Sequence, residues 1–63
     1  MKVITFPSDD FNVEELNRLN DTELYRICET HRYECFLYDS VKDFQEAFNN
    51  GYISDEWFIF FIN

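Results

Sequence analysis

Apolar residues in this chain fall into short groups of two kinds, some spaced as on a helix and some unbroken, with polar punctuation between them. Lys2-Val3-Ile4-Thr5-Phe6 is β-branched and aromatic and is stopped by Pro7, which predicts a first strand. Pro7-Ser8-Asp9-Asp10 is a turn whose side-chain oxygens could cap a helix directly after it. From Asn12 onward Val13, Leu16 and Leu19 recur on one side of a helix. Asn20-Asp21 then interrupts, and either residue can cap a second helix. In that helix Leu24, Ile27 and Cys28 stand at i, i+3 and i+4, with His31 next on the same face.

Glu34 to Tyr38 predicts a second strand, ended by Asp39-Ser40. Ser40, with Asp43 three residues later, approximates a capping box. Val41, Phe44, Ala47 and Phe48 line one face of a third helix, closed by Asn49-Asn50-Gly51. A connector from Tyr52 to Glu56 leads to Trp57-Phe58-Ile59-Phe60-Phe61-Ile62, which is apolar without alternation. A strand wetted on one face alternates, whereas one covered on both does not. The run therefore predicts a central strand, or a strand whose second face is covered by a partner. Three short helices are expected to cover one sheet face well and the other poorly, leaving an aromatic patch unless curvature and long side chains close it. The order β-α-α-β-α-β describes a small α+β domain spanning residues 1–63, a three-stranded sheet packed against two or three short helices, with the strand order open.

Composition sharpens this picture. Sixty-three residues make one domain, and a chain of this size buries only about 60% of its unfolded surface, so packing quality decides stability. Thirteen aromatic residues, eight of them Phe, supply large buried area with few rotatable bonds. One Gly and one Pro argue against a disordered or linker segment. The apolar runs are far shorter than the roughly 20 residues a membrane span needs. With no export signal in the first residues, a cytoplasmic location and reduced Cys28 and Cys35 are expected.

Catalytic chemistry is thinly represented. Cys28 and His31 lie three apart on a helix, but Cys28 belongs to the apolar stripe, where a buried thiol is inert. Cys28, His31 and Cys35, with Asp39 or Glu34 as a fourth donor, span a helix-to-strand transition and lack the paired spacing of structural zinc sites. Neighbouring carboxylates at Asp9-Asp10, Glu14-Glu15 and Asp55-Glu56 point apart on a helix and do not form acid–base pairs by adjacency. A single glycine excludes a glycine-rich phosphate loop, and five scattered bases make no nucleic-acid patch. No enzyme activity, cofactor or metal is expected.

Charge is the remaining signal: thirteen acids face five bases, for a net charge of −8. Such a chain repels nucleic acid and anionic membranes and favours a basic partner, besides staying soluble. Helical spacing predicts that Arg18 meets Glu14, that Arg26 meets Glu23 or Glu29, and that Lys42 meets Glu46. The uncompensated acids are then Asp9, Asp10, Glu15, Asp21, Asp39, Asp43, Asp55 and Glu56, and with Tyr52 and Trp57 they form the expected partner-binding set. Some of these acids also sit where they favour a helix dipole.

Phe36 to Asn63, with Val41-Lys42-Asp43-Phe44-Gln45-Glu46-Ala47-Phe48-Asn49 leading into Gly51-Tyr52-Ile53-Ser54 and a closing aromatic strand, resembles small acidic proteins of phages and mobile elements. In size and acidity the chain is also similar to anti-CRISPR and anti-restriction inhibitors. The resemblance carries over no assigned role; a negative rim around an aromatic patch is what leads to the expectation of an acidic inhibitor, one that occupies a basic, nucleic-acid-binding surface of a host enzyme. The alternative is a homodimer that associates through its C-terminal aromatic strand.

Overall fold

The computed structural model describes residues 1–63, in which the first strand, β1 (Lys2–Phe6), forms the centre of an antiparallel sheet. It is followed by α1 (Val13–Asn17), α2 (Asp21–Thr30), β2 (Phe36–Tyr38), α3 (Val41–Asn49) and β3 (Phe58–Ile62). The sheet order is β2-β1-β3, with both neighbours antiparallel to β1. The fold is α+β, and β2–α3–β3 is a split β-α-β unit whose two parallel strands flank β1. The Cα radius of gyration, 10.8 Å, matches the about 10.6 Å expected of a compact chain of this length.

Polar side chains fix the helix starts. Asn12 Oδ1 accepts hydrogen bonds from the Glu14 and Glu15 amides at 2.8 and 3.4 Å, so the α1 cap comes from Asn12 and not from Ser8, Asp9 or Asp10. Asn20, rather than Asp21, caps α2 in a complete capping box: its Oδ1 accepts from the Glu23 amide, and its own amide donates to Glu23 Oε1. Ser40 Oγ accepts from the Asp43 amide, which is half of such a box. α3 ends in a Schellman turn, with the Tyr52 amide on the Ala47 carbonyl and the Gly51 amide on that of Phe48. Gly51 adopts φ +81°, a left-handed conformation that a side chain disfavours.

Strand register sorts the side chains into two faces. Ile4 lies opposite Leu37 and Phe60, and Phe6 opposite Phe58, on the face packed by α1 and α2. Val3 lies opposite Tyr38 and Phe61, and Thr5 opposite Phe36 and Ile59, on the face packed by α3 and the connector before β3. The helices thus divide between both faces, where the sequence pattern predicted good cover of one. Val3, Ile4, Thr5 and Phe6 are completely buried as a result. The hydroxyl of Thr5 donates to the Phe36 carbonyl at 3.4 Å, so even this buried polar group has a partner.

The closing aromatic run occupies an edge, not the centre. Its lack of alternation follows from helices on both faces, a condition that an edge strand meets as well as a central one. Two strand boundaries also shift. The amides of Glu34 and Cys35 both donate to the His31 carbonyl, so a turn consumes them and β2 begins at Phe36. The Trp57 amide donates to Ser54, and β3 begins one residue later.

Candidate functional site

The topology gives the sheet two unlike ends. At one end β1 finishes at Phe6, β2 starts at Phe36 and β3 starts at Phe58. The loops from Pro7 to Asn12, from His31 to Cys35 and from Asn50 to Trp57 all turn there. Contacts tie them together: the Phe11 ring meets Phe6 at 5.1 Å and His31 at 5.5 Å, and Trp57 stacks on Phe36 at 5.8 Å with nearly parallel rings. Asp10 and Glu15 line one shallow depression with Phe11 and His31.

Charge collects at this loop end. Asp9, Asp10, Glu14, Glu15, Glu34, Asp55 and Glu56 lie there, all exposed, with Arg32 as the only Lys or Arg. The opposite end holds Lys2, Arg18 and Lys42 among Asp21, Glu23, Asp39 and Asp43, so it is nearly balanced. Helix direction adds to the asymmetry. Both α2 and α3 run toward the loop end, so their negative C-terminal dipole ends point where the acids already are. Neither helix carries a basic residue in its last turn, and Glu29 stands in the last turn of α2. Glu14 and Glu15 stand in the first turn of α1, where they favour its dipole, whereas acids near the C-termini of α2 and α3 gain no such benefit.

Of the sequence-predicted partner-binding residues, the fold brings Asp9, Asp10, Glu15, Tyr52, Asp55, Glu56 and Trp57 to the loop end. Asp21, Asp39 and Asp43 lie at the other end, so the set does not form one continuous rim. Asp43 follows the N-cap of α3, and Asp21 Oδ2 accepts the Asn63 amide at 3.4 Å. Sequence reasoning did not single out Phe36, Phe48 or Phe61 as surface residues, yet they are 42%, 38% and 54% exposed. Phe36 and Phe61 lie on the α3 side of the sheet, which only the strand order reveals. Phe48 stands one turn after Phe44 on the face its spacing marks as apolar, with the two rings 6.1 Å apart, so nothing in that spacing signals its exposure.

The predicted pairs Glu14–Arg18, Glu23–Arg26, Arg26–Glu29 and Lys42–Glu46 do not close to ion-pair distance. The single contact within 4.0 Å joins His31 Nδ1 to Glu34 at 3.6 Å. Exposed long side chains gain little by pairing and keep their hydration instead. Arg32 and Lys2 lie over aromatic rings, those of Tyr33 and Tyr25, at 5.3 and 5.6 Å.

His31 leaves the apolar stripe predicted for α2. It is the C-cap, is exposed, and its ring meets Phe11 and Glu34. Cys28 and Cys35 are free thiols that line one cleft of about 320 Å³ between α2 and β2. Burial pushes the Cys28 thiol up, and it pushes Cys35 up to about 12, helped by the neighbouring Cys28, Glu34 and Asp10. Both are therefore held as neutral thiols, a state that is a poor nucleophile. No three His, Cys, Asp or Glu side chains converge on a point that could hold an ion. No helix is long and apolar enough to cross a membrane.

No protein-family model, curated protein or solved structure matches the chain. The geometry of this end and the physical chemistry of its residues therefore carry the functional reading.

Proposed function

We propose that the protein is a non-catalytic binding protein whose acidic loop end docks on a basic, nucleic-acid-binding surface of another protein and blocks it. One observation carries this reading: seven acids and the negative ends of two helices point the same way, with one Arg among them. Such a field speeds encounter with a cationic groove and competes with phosphates for the same Lys and Arg side chains. The Phe36–Trp57 stack beside Asp55 and Glu56 supplies an apolar anchor that the carboxylates alone lack. The small size and the net charge of −8, similar to those of anti-CRISPR and anti-restriction inhibitors, are consistent with an inhibitor of a host defence enzyme.

The test uses a basic nucleic-acid-binding protein retained from host lysate on the immobilised chain. Adding the free chain should displace nucleic acid from that partner, and its affinity should fall steeply between low and high salt. Asp55→Lys combined with Glu56→Lys should abolish the competition while the far-ultraviolet circular dichroism stays unchanged. An affinity that ignores salt would remove the mimicry reading.

A further inference from the structure

β3 lies at a sheet edge and is bonded only to β1, so alternate backbone N–H and C=O groups along Phe58–Ile62 face outward. Edge strands of this kind are usually blunted by a charge, a proline or a bulge. β3 has none of these. It reads Phe-Ile-Phe-Phe-Ile, it pairs with β1 without a break, and no charged side chain occurs from Trp57 to Asn63. The other edge, β2, is only three residues long.

We propose that β3 pairs antiparallel with β3 of a second copy, joining two sheets into one six-stranded sheet about a twofold axis. This goes beyond the proposed function and does not depend on it. Three features select a second copy as the occupant. Full overlap of the two strands places Phe60 opposite the second copy's Phe60, Phe58 opposite Ile62, and Ile59 opposite Phe61. Every side chain then meets an apolar counterpart on its own face of the sheet. Phe61, over half exposed in the single chain, gains a neighbour in the second copy's Ile59.

Charge supplies the third feature. Antiparallel pairing sends the two acidic loop ends in opposite directions, which keeps like charges apart in a chain of net charge −8. Asp55 and Glu56, just before Phe58, come beside the second copy's Ile62 and the groove that flanks it. That groove is lined by Lys2 and Arg26 together with Asp21 and Glu29, so an acidic segment meets a balanced one. Pairing β3 with β3 also closes after two copies, whereas β3 on β2 would build an open chain of subunits.

Sedimentation of the intact chain from low micromolar to millimolar concentration at physiological salt tests this. The mass should rise from that of one 7.7 kDa chain to twice it and stop there. Alternate amides of β3 should exchange with deuterium more slowly as concentration rises, while the amides of β1 stay equally protected. Phe61→Lys should weaken dimerisation by about tenfold or more, because each charge then faces an apolar partner. A single-chain mass at every concentration overturns the proposal. So does association that leaves β3 amide exchange unchanged, or that grows past two copies. The exchange measurement on the unaltered chain decides the matter even if the Phe61 variant fails to fold.

Discussion

The two faces of the sheet are built to different standards. On the α1 and α2 side, Ile4, Phe6, Leu16, Leu24, Cys28, Cys35 and Ile62 form one buried cluster, with Phe11, Phe58 and Phe60 packed against it. On the α3 side the buried apolar cluster is only Val3, Phe44 and Ile53. Phe36, Phe48, Tyr52 and Phe61, four of the five well-exposed aromatic residues, belong to that second side. A short chain has enough apolar area to complete one core and only part of another. Stability is therefore concentrated on the first face, while the second is available for contact.

The largest effect is expected at the best-buried ring. Phe6→Ala removes a completely buried side chain in edge contact with Phe11 and Phe60 and should cost about 3–5 kcal/mol, enough to unfold much of the population. Phe44→Ala, on the thinner side and 9% exposed, should cost less because the surrounding rings can collapse toward it. Urea unfolding midpoints for the pair measure the gap, and equal losses would mean the two faces contribute alike.

A pH series probes the same contrast, since both free thiols lie on the first face. An unfolded cysteine ionises near its ordinary value of 9.0, whereas Cys35 in the fold does so only at about 12. Between those values the unfolded chain releases a proton that the folded chain keeps, so stability is full below 9 and declines as pH rises toward 12. Cys35→Ala should flatten that decline in unfolding midpoints taken across the alkaline range. The smallest effect is expected on the other face: Tyr52→Ser, at a side chain 73% exposed, should shift stability by no more than about 0.5 kcal/mol. A larger shift would mean that the exposed aromatics support the fold itself.

Element identity is legible in the sequence because each element carries its own local signals. Pro7 marks the end of β1, the spacing of Leu24 and Cys28 marks α2, and Ser40 and Gly51 bracket α3. Acidity is legible too, and so are the residues before β3 as candidates for contact. Ile53 gives no sign of being core because it stands in a connector without periodicity, yet it is 4% exposed against Val3 and Phe44. His31 shares the helical spacing of an apolar face that ends one residue earlier, where α2 turns toward β2. The expected ion pairs rest on helical spacing alone, which brings long side chains near each other without any net gain in closing the gap.

Local backbone preference and capping chemistry act within a few residues, so the order of elements, most of their limits and the excess of negative charge are all written in the chain itself. Which strand lies in the middle, how the helices split between the faces and which loops share an end depend on contacts between residues far apart in sequence. Packing alone settles these, because β1, completely buried from Val3 to Phe6, is stable with a neighbour on each side and a helix layer on each face. That arrangement is what turned scattered acids into one charged end and an aromatic run into an open edge.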